Sequence, residues 1–350
     1  MWAQYKKKTG LSPYKKLTQF ILEKWTTDNG LHSNTLLDVY QTKDGYIWIS
    51  GYNGLSRFDG IQFTVFNKTN VEAFYTNTTT ALYQDRNGIL WIGTEGGGLI
   101  SYQNSVFTAY GREENFTYRI ECLFEDRERN LWLGTRGAGV CRLVHKKIRP
   151  FEEIPEMKGT IVIAIAQDAT GTLWFATHNK GLFSYQNGEH KQYTSQNGLP
   201  TDNTRALLLD SRGTLWVGTS NGILIKKTTG FEFIKGLENV YTNVLYEDAL
   251  QNIWIGTNNN GIIRYNTQNG FIDYLPENKG IPHKVIKDIT SDNEGNIWIT
   301  TYRGGLVLLK DGKFTNYSEL DGLSGKIVNL IYQESRERYL VCTDAGKVDV

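Results

Sequence analysis

The stretch "DRNGILWIGTEGGGLISY", Asp85–Tyr102, is one of several near-copies along the chain. "DSRGTLWVGTSNGILI" begins at Asp210, "DNEGNIWITTYRGGLVLL" at Asp292, and a looser "DGYIWISGYNGLSRF" at Asp44. Aligned on tryptophan, the copies fall at Trp48, Trp91, Trp132, Trp174, Trp216, Trp254 and Trp298, with spacings of 43, 41, 42, 42, 38 and 44 residues. A period in this range marks a propeller, a solenoid or an array.

Other positions keep step with the tryptophan. Ile or Leu precedes it in every copy. Thr follows three residues later at Thr94, Thr135, Thr177, Thr219, Thr257 and Thr301, and Asp stands six residues earlier at Asp85, Asp126, Asp168, Asp210, Asp248 and Asp292. In the second copy "TTALYQ", "ILWIGT", "LISY" and "SVFTAY" read as four strands separated by the turns "RNG", "EGGG" and "QN". The Asp carboxylate can accept backbone N–H groups within the first turn, and Gly88 can take the positive φ that closes it. No segment sustains a helical period, so repeats built around helices are excluded. Four antiparallel strands every ~40 residues predict propeller blades, with the tryptophan filling the wedge between sheets.

The expected fold is therefore an all-β propeller of seven four-stranded blades closed by an N-terminal strand, with eight blades as the alternative. "WTTDNGLHSNT", Trp25–Thr35, aligns with "YTSQNGLPTDNT", Tyr193–Thr204, so "QFILEKW" before it reads as a fourth strand lacking its first three. Such a strand closes a ring without a free edge. "KIVNLIYQESRERYLVCTDAGKVDV" is an eighth copy with Leu340 at the Trp position and Thr343 at the Thr position. This divides the chain into a tail (1–17), a propeller (18–318) and a partial repeat (319–350) that either starts a second propeller or completes a last blade.

Composition bounds the function. Lys+Arg 38 against Asp+Glu 37 gives a net charge of +1, which steers the chain toward neither nucleic acid nor an anionic membrane. No apolar run is long enough to span a bilayer. Cys122, Cys141 and Cys342 form no metal or disulfide spacing and read as buried apolar residues. Met1–Ala3 fits the tail of a leader peptide without its apolar region. No HxxxH, GxSxG or phosphate-binding loop is present, and the Asp-containing turns lack the acidic ladder of a calcium loop, so no catalytic residue, metal or cofactor is expected. The sequons at Asn67, Asn77, Asn115 and Asn316 read as by-products of a Thr- and Asn-rich β protein.

The shared pattern of Asp, Gly, Trp, Gly-Thr and a closing aromatic, with links such as "NGLHSN", "NGLPTDN" and "DGLSG", resembles the two-component regulator propeller repeat. Copy one departs from it with Ser50-Gly51 for Gly-Thr, copy three with Arg129 and copy six with Gln251 at the turn glycine. The resemblance implies the periplasmic sensor region of a bacterial hybrid histidine kinase in a Gram-negative cell. It further implies a second propeller, downstream signalling domains, pairing of two copies of the full-length protein, and an oligosaccharide or other small polar ligand.

One set of turns varies while the scaffold repeats. The first residue after the Thr position is Tyr52, Glu95, Arg136, His178, Ser220, Asn258 and Tyr302, with Arg303 following. In an up-and-down blade these turns share one face. Aromatic faces with Arg, Glu, His and Asn suit a polar ring-shaped ligand. The candidate binding residues are Tyr52, Glu95, Arg136, His178, Asn258, Tyr302 and Arg303. Two other classes stay open: a propeller lyase or hydrolase acting on polysaccharide, and a scaffold propeller binding proteins.

Overall fold

A computed structural model describes residues 10–12, 15–113, 115–277, 280–312, 319, 322–335 and 338–350. The leader-like Met1–Ala3 and the sequon at Asn316 lie outside them. Regular structure is almost wholly strand, with three 3-10 turns of three residues each among the described residues.

Seven four-stranded antiparallel sheets and one three-stranded sheet are formed. The innermost strands of the seven are Leu36–Gln41, Thr79–Gln84, Arg119–Glu125, Val162–Gln167, Thr204–Leu209, Thr242–Glu247 and Ile286–Ser291. These define blades one to seven. Each innermost strand packs against the next, and that of blade seven packs against that of blade one. A backbone chain repeats this closure: the first-turn N–H of one blade donates to a Gln or Glu of the following blade. Lys43 donates to Gln84, Arg86 to Glu125, Arg127 to Gln167, Ser211 to Glu247 and, across the seam, Asn293 to Gln41, all at 2.6–3.0 Å.

The repeated residues explain themselves within a blade. One carboxylate oxygen of Asp85 accepts the N–H of Ile89 at 2.9 Å, and the other accepts the indole N–H of Trp91 at 2.9 Å. The same indole bond recurs from Trp132, Trp174, Trp216, Trp254 and Trp298 to their own Asp. Blade one has Thr42 there instead, and Trp48 donates to its hydroxyl at 3.2 Å. The buried Thr94 hydroxyl donates to the Gly98 carbonyl and accepts the N–H of Gly97, pinning the turn between the middle strands. Every one of these seven tryptophans is buried, at most 7 % exposed, in clusters that span two blades.

The departures from the pattern have local causes. A Cβ at Gly256 would stand 2.7 Å from Ile286 of the next blade, so most blades need glycine two residues after Trp. In copy one Gly51 leaves room for the buried imidazole of His32, whose Nδ1 meets Ser56 at 2.6 Å. Burial drives that imidazole's pKa down to about 4, so it is neutral. Arg129 and Gln251 hold φ of 66° and 65°, so the first turn keeps the left-handed geometry that Gly88 takes at 82°.

Strand Ile21–Trp25 pairs with Gly305–Lys310 as the outer strand of blade seven, from Ile21 opposite Lys310 to Trp25 opposite Leu306. Trp25 stacks on Trp298, ring centres 5.5 Å apart, and Glu23 pairs with Lys310. Upstream, Leu11 and Leu17 are buried against blades six and seven, and the Arg264 guanidinium donates to the carbonyls of Ser12 and Lys15. The eighth copy forms the three-stranded sheet Val328–Ser335, Arg338–Thr343, Val348–Asp349, with Leu340 opposite Tyr332. Ile327, Leu330, Ile331 and Tyr332 on it are 58–61 % exposed.

Candidate functional site at the channel mouth

Every innermost strand carries one β-bulge near its start. In blade one Leu36 opposes Gly51 and Asp38 opposes Ser50, so Leu37 has no partner. The skipped residues of the other blades are Thr80, Glu121, Ile163, Arg205, Asn243 and Lys287. An extra residue in one strand redirects a side chain away from the sheet. All seven bulge residues line one cavity of about 260 Å³. Each stands eleven residues before its tryptophan. Sequence reasoning missed this ring.

The turn residues singled out from sequence flank it. The backbone N–H of Tyr52, Glu95, His178, Asn258 and Tyr302 donates to Thr35, Thr78, Ile161, Tyr241 and Val285, each two residues before its bulge. Arg136 stands opposite Arg119 in register. Side chains link the two rings in several places. Arg119 ion-pairs with Glu95 at 2.8 Å and Glu121 at 3.3 Å. Arg136 reaches Glu121 at 2.6 Å. Asn243 donates to Asn258 at 3.5 Å. The Tyr302 ring lies 5.7 Å from the Lys287 ammonium and 5.0 Å from the Arg303 guanidinium, within cation–π range. His178 is exposed, and among the described residues it engages through its backbone N–H.

Charge at the mouth is strongly coupled. Burial opposes the charge of Arg119, but Glu121 and Glu95 outweigh it and raise its pKa. Burial, with Arg205 and Arg119 nearby, pulls the Lys287 ammonium below its ordinary value. Deeper in the channel, Asp38 and Asp288 hydrogen-bond to each other while accepting the N–H groups of Leu82 at 2.7 Å and Val39 at 3.1 Å. Burial and the adjacent Asp38 charge hold Asp288 well above the usual carboxylate range, so Asp288 keeps the proton and donates it. Both carboxyls thereby fasten adjoining blades. The mouth offers hydrogen-bond donors, acceptors and a ring face around a concave opening. Among the described residues no group of His, Cys, Asp and Glu side chains is placed to hold a metal ion.

Fold and opening together define a seven-bladed β-propeller with one polar, charged mouth. The model of the two-component regulator propeller repeat matches residues 76–96, 156–179, 198–221 and 280–303. No curated protein sequence matches the chain. Among solved structures it is similar to a protein described as the extracellular domain of a hybrid two-component system from B. thetaiotaomicron. The two share 22% identity at a TM-score of 0.80 over 94% of this chain and 47% of that one. A second extracellular domain from B. thetaiotaomicron, described as that of a one-component system, is 21% identical at a TM-score of 0.64, over 92% of this chain and 44% of that one. The chain thus spans a little under half the length of both. Virginiamycin B lyase from Staphylococcus aureus is 18% identical at a TM-score of 0.67, over 83% of this chain and 99% of the lyase. At these identities the likeness is one of fold.

Proposed function

We propose that this chain is a non-catalytic, extracytoplasmic ligand-binding propeller of a bacterial two-component signalling protein, and that it takes an oligosaccharide at the channel mouth. The observation that carries the reading is the convergence of two non-repeating rings, bulge and turn, on one end of an otherwise repeating scaffold. The repeat family and the two extracellular domains support the signalling context and a periplasmic location. In that context the exposed sheet Val328–Asp349 is the first blade of a second propeller, and residues 319–350 belong to it. Signalling domains and a second copy of the protein are then the partners of the full-length chain.

The test is calorimetric titration of the chain with a panel of neutral and acidic oligosaccharides, repeated with Tyr302→Ala and Arg136→Ala. A ligand whose affinity falls about tenfold in either variant supports the mouth as the site. Unchanged affinity in both removes it.

A lyase reading draws on the similarity to virginiamycin B lyase along nearly that enzyme's whole length. It requires a proton-abstracting base at the mouth, for which His178 and His283 are the imidazoles at hand; His283 packs edge-on against Tyr302. Shortened products on incubation with polysaccharide, lost in His178→Ala or His283→Ala, would favour it over pure binding.

A further inference from the structure

The cations of the mouth are not equivalent. Arg119 and Arg136 are already neutralised by Glu95 and Glu121. Arg205 and Lys287 have no carboxylate within ion-pair distance among the described residues. Asn243 lies between them in the bulge ring. Its Oδ1 accepts from Arg205 Nε at 3.2 Å, and its Nδ2 donates to the Ile286 carbonyl at 3.0 Å, so the amide is held by backbone and in turn holds the guanidinium. The guanidinium also lies 5.1 Å from the centre of the Tyr241 ring. Anchored at Nε and backed by an aromatic face, Arg205 keeps Nη1 and Nη2 without a protein partner among the described residues. A guanidinium fixed this way presents a two-donor fork whose geometry matches a carboxylate. Lys287, its ammonium over Tyr302, adds a second positive charge on the same arc.

We propose that the mouth selects a carboxylate-bearing saccharide, a uronate oligosaccharide, seating its carboxylate on the two free nitrogens of Arg205 with Lys287 as second cation and Asn243 as positioning residue. This rests on the reading that the mouth binds oligosaccharide. The two arginines of the turn ring suit this role less, because Glu121 already occupies Arg136 and Arg303 rests on Tyr302.

The experiment titrates the chain with galacturonate, glucuronate, mannuronate and iduronate oligosaccharides, each beside its carboxyl-reduced neutral counterpart and a sulfated neutral oligosaccharide. At least one uronate should bind, with its reduced counterpart weaker by about tenfold or more. Arg205→Gln should abolish that preference, Arg205→Lys should keep only part of it, and Lys287→Gln should diminish it. Lys43→Gln, in a first turn at the far end of the channel, should leave it intact, and melting curves should show all variants folded. Equal binding of reduced and acidic forms, or a preference that survives Arg205→Gln, overturns the proposal while leaving oligosaccharide binding in place. Tighter binding of the sulfated sugar overturns the carboxylate assignment. If no saccharide binds, both this proposal and the reading beneath it fall.

Discussion

The indole N–H of Trp254 donates to Oδ2 of Asp248 at 2.8 Å, six residues apart in sequence and both buried. The other oxygen of Asp248 accepts the N–H groups of Leu250 and Asn252, each at 2.9 Å. One side chain therefore caps a turn and orients the ring that fills the wedge to blade seven. Trp254→Ala should cost roughly 3–5 kcal/mol through the cavity it leaves. Asp248→Ala should cost about 2–4 kcal/mol by leaving buried donors unpaired. Because they share a bond, the double variant should lose less than the sum of the two, as read by urea unfolding. Strict additivity would show that the pair does not act as a unit.

Arg129 sits in left-handed backbone at φ 66°. A side chain there costs about 1 kcal/mol or more that glycine avoids. Arg129→Gly should raise the melting temperature. Gln251→Gly should gain less, since Gln251 also donates to Ser211 at 3.2 Å. A fall in melting temperature for Arg129→Gly would refute the assignment of strain.

The Asp38–Asp288 pair makes a pH prediction. The folded-state pKa of Asp288 is raised above its ordinary 3.8, so its contribution to stability is fully present below that value and is lost as pH rises through the raised one. Asp288→Asn keeps an acceptor for Val39 and a donor for Asp38 without a titrating proton. Its melting temperature, relative to the parent, should climb as pH increases above the carboxylate range. A constant difference across pH would mean that Asp288 does not titrate out of step with the unfolded chain.

What was legible in the sequence is what repeats over short range. The Asp-to-Trp step of six residues and the Trp-to-Thr step of three each complete a bond inside one blade, so they recur as letters at fixed spacing. The closing strand was legible because the Asn-Gly-Leu link after Trp25 matched the link before blade five. The bulge ring was not. A bulge breaks the alternation by which strand faces are read, at the very residue it aims into the channel. The trace it leaves is Glu121, Arg205, Asn243 and Lys287, all at one distance from Trp. The second role of the repeated Asp, as acceptor for the indole, was equally hidden, because turn capping already accounted for a carboxylate there.

Removal of residues 1–26 deletes the outer strand of blade seven together with Leu11, Leu17 and Phe20 from the core. The truncated chain should melt well below the parent and expose the edge Gly305–Lys310 to other chains. Differential scanning calorimetry with light scattering reads both effects. An unchanged melting temperature would show that the strand does not hold the ring shut.

That closure also sets an order of events during synthesis. Ile21–Trp25 leaves the ribosome ahead of blade one, yet its partner Gly305–Lys310 arrives only after blades one to six have been made. At about 5–20 residues per second, Trp25 waits on the order of a quarter of a minute to a minute without its stacking partner Trp298. Each finished copy offers the same register to any waiting N-terminal strand. Crowded nascent chains can therefore exchange first strands and close one another's rings, giving strand-swapped dimers whose yield rises with expression level.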